Sequence, residues 1–283
     1  MDPPPSSATG LHASGSDPDG EESRAELLAR YDIQLLRAGN PSPLTLTGTN
    51  TWLIGRNPAW VIDPGPLLAE HIAGLYAAIE ERGGLGGVAL THDHHDHAEA
   101  VPTLLERFGA PLAAGRGAAD MLLEDGAAVG PFTALASPGH APDHFALIAG
   151  GACFSGDAVL GSGSVFIAPH PGALAGYLGA LDRLRRRGDL AVICPGHGPL
   201  VWDPQAKLDE YLAHRTDREN RLIASLKAGR RTVDELLDDV WSDVPAGLRP
   251  AAAVTLAAHL DKLEEEQLLP EGVERPHFEG IEW

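Results

Sequence analysis

Apolar residues in this chain recur at two periods that keep exchanging places. Short apolar runs bounded by turn residues predict strands over 44–47, 51–54 and 59–63, with Gly48, Asn50, Gly55 and Asn57-Pro58 as punctuation. Leu68, Ile72, Leu75, Tyr76 and Ile79 then fall at helical spacing, and the glycines at 83, 84, 86 and 87 end that helix. Val88, Ala89 and Leu90 predict a short buried strand. The alternation continues with strands over 145–148 and 152–155. A helical stripe follows at Leu174, Tyr177, Leu178, Leu181 and Leu184, then an apolar strand over 191–194 and a long helix over about 205–227. This is an α/β pattern. After Gly229, Thr232 and Glu235 form a capping-box signature. A loop with Pro245 and Gly247 precedes a last helix over about 250–267. We divide the chain into a disordered tail over 1–24, a catalytic domain over 25–215 and a helical C-terminal domain over 216–283. The tail is mostly Pro, Ser, Gly and Asp and buries too little apolar surface to offset its ordering entropy.

Composition narrows the function classes. A net charge of −19 works against binding to nucleic acid or anionic membrane, since both rely on Lys and Arg meeting phosphates. No apolar run approaches the roughly 20 residues of a membrane span. The N-terminus lacks the basic and apolar regions of a secretory signal. The two cysteines, Cys153 and Cys194, make no disulfide framework and read as small buried hydrophobes. The expected compartment is the cytoplasm, and the expected partner a small-molecule substrate. A homodimer stays open.

The chemistry concentrates in His92-Asp93-His94-His95-Asp96-His97, directly after a predicted buried strand. Four of the 13 histidines stand in these six positions. Alternate residues of a loop leaving a strand point the same way, so His92 and His94 converge on one point and Asp96 and His97 on a neighbouring one. Imidazole and carboxylate suit zinc and similar divalent ions. Three further strand ends or turns present one such group each: His140 after Pro138-Gly139, Asp157 after Ser155-Gly156, and His197 after Pro195-Gly196. Ligands of open α/β sheets gather where strands hand over to loops.

The pattern His-x-His-x-Asp-His, with the later single residues, resembles the metallo-β-lactamase fold superfamily over roughly residues 30–215. The resemblance implies a four-layer αββα sandwich and two metal ions, expected to be zinc, with iron and manganese open. It implies that His92, His94 and His140 hold one ion, that Asp96, His97 and His197 hold the other, and that Asp157 bridges them. Members that cleave β-lactams generally lack an aspartate at that bridging position, whereas thioesterases and ribonucleases of the superfamily have one. The order of Gly48-Thr49-Asn50-Thr51, Ile62-Asp63-Pro64-Gly65, Tyr177-Leu178 and His214-Arg215, with a helical C-terminus, is similar to the β-lactamase-like protein 2 branch, whose C-terminus resembles a winged helix.

The expected activity is hydrolysis of a small thioester or ester by a hydroxide held between the two ions, with Asp96 and Asp157 as catalytic carboxylates. The alternatives are an endoribonuclease on single-stranded RNA, weak β-lactam hydrolysis, iron-based oxygen chemistry, and a non-catalytic binding protein. Asp63, His170, Tyr177 and Arg215 are candidates to brace the ligands or touch substrate. His95 and Asp93 are expected outside the ligand set, and His144 in a structural turn. The last helix, with Lys262 as its lone lysine and Glu264, Glu265 and Glu266 at its end, lacks the donors of a DNA-reading helix and is expected to pack or to shape the pocket.

Overall fold

The computed structural model describes residues 18–167 and 169–278, and the expected tail over 1–17 lies outside them. Eleven described strands form two sheets. The first sheet runs β1 (Gln34–Arg37), β2 (Asn50–Ile54), β3 (Ala59–Ile62), β4 (Leu85–Ala89), β5 (Leu112–Ala114) and β6 (Met121–Leu122) in spatial order. It is antiparallel from β1 to β3 and parallel from β3 to β6. The second sheet runs β11 (Val192–Pro195), β10 (Ala152–Gly156), β9 (Phe145–Ala149), β8 (Phe132–Ala136) and β7 (Ala128–Val129). Only its β10–β11 pair is parallel.

Both faces of these strands are covered, so alternate residues enter different cores. Trp52, Ile62, Phe132, Phe154 and Val192 fill the space between the sheets. Leu53, Val61 and Val88 point outward from the first sheet, onto Ile72, Leu75 and Ile79 of α2 (Ala69–Glu81) and Leu104 of α4 (Val101–Phe108). Ile148, Cys153 and Ile193 point outward from the second sheet. They meet Leu174 and Leu181 of α5 (Ala173–Arg187) and Leu208 and Tyr211 of α6 (Pro204–Lys227). The order helix, sheet, sheet, helix is the four-layer sandwich. Near-continuous apolar runs, rather than strict alternation, are what strands buried on both faces require. Cys153 and Cys194 are free and buried on opposite faces of the second sheet.

The C-terminal part is helical among the described residues. It comprises α7 (Val233–Val240), a 3₁₀ turn (Ala246–Leu248) and α8 (Arg249–Glu265), with a fourth core of Leu222, Leu236, Trp241, Leu256 and Leu260. The Thr232–Glu235 capping box is present with both of its hydrogen bonds. No helix of the described residues is long and apolar enough to cross a membrane.

Three expectations change. Residues 44–47 form a turn, because the Ser42 hydroxyl accepts the backbone N–H groups of Leu44 and Thr45 and diverts the chain from a ladder. Residues 18–24, expected in the tail, are helical: α1 spans Pro18–Arg30 and sets Leu27 and Leu28 against the inter-sheet core. The expected boundary at 215/216 falls inside α6, which contributes Leu208 and Tyr211 to one core and Leu222 and Leu226 to another.

Candidate metal centre

Four strand ends open on one edge of the sandwich. The loop after β4 carries Thr91 to His97, with α3 (His95–Ala98) as its last turn. The β8–β9 loop carries His140, and Asp157 and His197 follow β10 and β11. These residues, scattered over more than 100 positions, meet in one cluster. His94 Nδ1 lies 3.0 Å from His92 Nε2 and 3.0 Å from His140 Nε2. His97 Nε2 lies 3.3 Å from His197 Nε2, and Asp96 Oδ2 lies 3.2 Å from the latter. Asp157 stands between the two groups, with Oδ2 at 3.6 Å from His140 Nε2 and 3.4 Å from His197 Nε2, and Oδ1 at 3.6 Å from His97 Nε2.

The outward nitrogen of each buried imidazole is held by a group that dictates its tautomer. Phe166 O accepts from His140 Nδ1 at 3.1 Å, and Gly48 O from His197 Nδ1 at 3.4 Å. Asp63 Oδ2 lies 3.0 Å from His97 Nδ1. Asp63 also accepts the Thr91 N–H at 2.8 Å and the Thr91 hydroxyl at 2.7 Å. With its proton committed to Asp63, Thr91 Oγ1 accepts from His92 Nδ1 at 3.0 Å. The Nε2 atoms are thereby turned inward, as metal-binding imidazoles are braced in proteins. Asp63 sits at φ 50°, a left-handed conformation seldom taken by a residue other than glycine.

The donor set fits divalent cations. His94 Nδ1 faces both His92 Nε2 and His140 Nε2 at 3.0 Å with at most one proton to share between them, and the buried Asp157 Oδ1 has no hydrogen-bond partner among the described residues. Within each of three groups the ligand atoms lie within 4.8 Å of one another: His92, His94 and His140; His92, His97 and Asp157; Asp96, His97 and His197.

Electrostatics separates the two sides. Burial pushes His92 far below its ordinary pKa and His140 down to about 4, so both are neutral donors. Burial also opposes charge on His97 and His197, but there Asp157 and its neighbours outweigh it, and His197 rises to about 10. Asp96 is held at about 2: burial works against its charge, and the His197 hydrogen bond with the nearby His97 overcomes it. Asp157 is held well below the usual carboxylate range by His197 and His97, again against burial. The carboxylates thus concentrate positive charge between His97 and His197.

Two glycines are required by close approach. A Cβ on Gly196 would stand 2.5 Å from Asp157 Oδ1 and 2.7 Å from His97. One on Gly156, at φ 46°, would stand 2.3 Å from Thr91 Oγ1.

The other candidates separate. Asp63 contacts the cluster as described. Tyr177 is fully buried and donates to Ala158 O at 2.7 Å, so its hydroxyl is spent inside the fold. His170 does not line the cavity beside the cluster; its carbonyl accepts the Ala173 N–H at the start of α5. Arg215 does line that cavity. His95 is exposed at 3.4 Å from Glu99. Asp93 pairs with Arg116, which sequence reasoning missed for want of a local signal. His144 is a buried brace: its Nε2 accepts the Asp157 N–H at 3.1 Å, so its Nδ1 donates to Ser137 Oγ at 2.7 Å. Asn50, also missed, donates to the carbonyls of Pro195 and Gly198 at 3.0 and 2.8 Å and so pins the His197 loop.

The cavity has a volume of about 710 Å³. His94, Asp96, His140, Asp157 and His197 form one end. Leu44 and Leu46, Val165 and Phe166, α6 and the C-terminal residues Trp241, Leu248 and Ala252 form the rest.

Known proteins agree with this architecture. Residues 44–131, which include the His92–His97 motif, match the metallo-beta-lactamase superfamily, and residues 232–271 match the beta-lactamase associated winged helix domain. A beta-lactamase-like protein 2 homolog of Caenorhabditis elegans is 33% identical over 267 residues, 86% of each chain. An atrochrysone carboxyl ACP thioesterase of Aspergillus chevalieri is 34% identical, over 74% of this chain and 72% of that one. A metallo-beta-lactamase family protein of Thermus thermophilus superposes with a TM-score of 0.63 at 25% identity, over 83% of this chain and 94% of that one. The chain therefore belongs to the metallo-beta-lactamase superfamily of hydrolases, among the β-lactamase-like protein 2 homologues, with the winged helix domain associated with that fold.

Proposed function

We propose that the chain is a dinuclear zinc hydrolase that cleaves thioesters with an apolar acyl group. The observation that carries the reading is the position of Asp157, between one group of three imidazoles and a second group of Asp96, His97 and His197, at the end of a largely apolar cavity. His92, His94 and His140 would hold one ion, Asp96, His97 and His197 the other, and Asp157 both. Bound there, two divalent ions supply an acidified water and charge stabilisation for a developing oxyanion.

The chain's own residues do the rest. Asp96 lines the cavity and, with its carboxyl at about 2, stays an anion that accepts and orients rather than stores a proton. Thr49 Oγ1 donates to it at 3.4 Å and limits its rotation. Hydrolysis adds water across the C–S bond and releases a carboxylate and a thiol. A thiol with a pKa of about 8.5 leaves readily as thiolate, so this reaction needs no strong general acid, unlike cleavage of an amide. The relative named as an ACP thioesterase and the net charge of −19 support a thioester over RNA.

The test measures metal identity and stoichiometry on protein purified without added metal, then turnover of an aryl-acyl thioester, lactoylglutathione, a chromogenic cephalosporin and short RNA. Two zinc ions per chain and preferential thioester turnover, both lost on chelation and restored by zinc, are expected. One iron with oxygen-consuming activity, or RNA cleavage without thioester turnover, overturns the proposal.

A further inference from the structure

Two arginines of α6 stand less than one helical turn apart, and both are buried: Arg215 is 2% exposed and Arg218 4%. Arg218 has a counter-ion, since both its terminal nitrogens reach the Asp243 carboxylate, at 2.7 and 2.6 Å. Arg215 has none among the described residues. Its Nη2 donates to Val165 O and to Ser164 Oγ, its guanidinium lies 5.5 Å from the centre of the Tyr177 ring, and its buried Nε has no partner. Carbonyl, hydroxyl and ring contacts stabilise a guanidinium without cancelling its charge. A buried ion left without an opposite charge is costly. The missing charge must come from something that enters the cavity Arg215 lines.

The wall says what kind of molecule that is. Glu210 and Asp243 also line it, but Lys207 and Arg218 pair with them, so Arg215 is the unmatched charge of this end. One unmatched positive charge flanked by two carboxylates suits a monoanion better than a phosphate dianion. Around it Val165, Trp241, Val244 and Leu248 offer apolar surface. The arginine is also tied to the reacting end. Val165 O accepts from Arg215 and the next carbonyl, Phe166 O, from His140, so two successive peptides set the spacing between anchor and metal centre.

We propose that Arg215 anchors a carboxylate on the substrate, so that the chain selects apolar acyl groups carrying an acid function away from the scissile bond. This deepens the thioesterase reading and rests on the same cavity, but binding alone tests it. 2-Naphthoate, 2-naphthamide and 2-naphthyl phosphate are titrated by calorimetry into the full chain as purified. A charge-assisted hydrogen bond contributes about 1.5–3 kcal/mol, or roughly 10- to 100-fold in affinity. Naphthoate should bind at least about 10-fold tighter than naphthamide. Arg215→Met should erase that preference while leaving naphthamide binding within about 2-fold, which also shows that the cavity is intact. Arg215→Lys should retain part of the preference. Equal binding of acid and amide by the unaltered chain overturns the proposal without any variant. A preference that survives in Arg215→Met overturns it as well, because the carboxylate then sits elsewhere, such as on the metal ions. Tighter binding of the phosphate than of naphthoate, lost in Arg215→Met, refutes the choice of a carboxylate. None of these outcomes depends on which bond the enzyme hydrolyses.

Discussion

The two ends of the cavity are built by opposite means. At the reacting end the outward side of the cluster is braced by side chain on side chain: Asp63 holds Thr91 and His97, Thr91 holds His92, and His144 holds the Asp157 backbone. These residues lie on loops, and the outward nitrogens of His92, His97, His140 and His197 each have a partner that limits ring rotation. At the other end the wall is helical and mostly apolar, and Arg215 has local contacts but no counter-ion. A network of mutually braced groups tolerates little change. A wall that depends on side-chain size and one unmatched charge tolerates much. Chemistry should therefore be fragile to substitution at the first end, and selectivity adjustable at the second.

The largest effect that this contrast predicts belongs to Asp157→Ala. It removes the carboxylate between the two groups and should lower metal content below one ion per chain and reduce turnover at least about 1,000-fold. Metal analysis beside a thioester assay checks it, and retention of two ions would dissolve the contrast. Asp63→Asn comes next. An amide cannot accept from Thr91 and His97 as a carboxylate does, so metal affinity or activity should fall about 10- to 100-fold, read by competition with a chromophoric chelator. The smallest effect lies outside both ends. Thr232→Ala deletes the N-cap of α7 and should cost about 1 kcal/mol of stability, seen by thermal unfolding, with turnover unchanged. A loss of turnover there would mean that the helical part couples to the chemistry more tightly than its packing indicates.

How much of this was legible beforehand depended on how local each signal is. The run from His92 to His97 is contiguous, and His140, Asp157 and His197 each follow a glycine at a strand end or turn, so the seven candidates stood out as a set rather than singly. The sequence shows Gly196 only as the residue before His197; the reason for a glycine there, the space taken by Asp157 and His97, is visible only in three dimensions. β5, β6 and β7 were missed because strands of two or three residues are too short to show a period. The segment 44–47 misled because its alternation is that of a strand, while the hydroxyl that bends it sits earlier at Ser42. Arg116 gave no signal, and Asn50 stood out only as a turn residue within the Gly48-Thr49-Asn50-Thr51 landmark, since the contacts of each are with residues far away in the chain. The cavity was invisible for the same reason: its lining is drawn from seven separate stretches, from residues 42–46 to residues 241–255.

Helix α6 has a consequence for how such an enzyme changes. Its 24 residues span about 36 Å. One half is embedded in the sandwich, the other in the helical bundle, and Arg215 and Arg218 sit where the two meet. A single rod clamped at both ends fixes the width of the substrate chamber like the jaw of a calliper. Altered residues in the bundle can then move or reshape one jaw while the His and Asp cluster stays put, so the chamber can change its fit beside an unchanged set of polar groups.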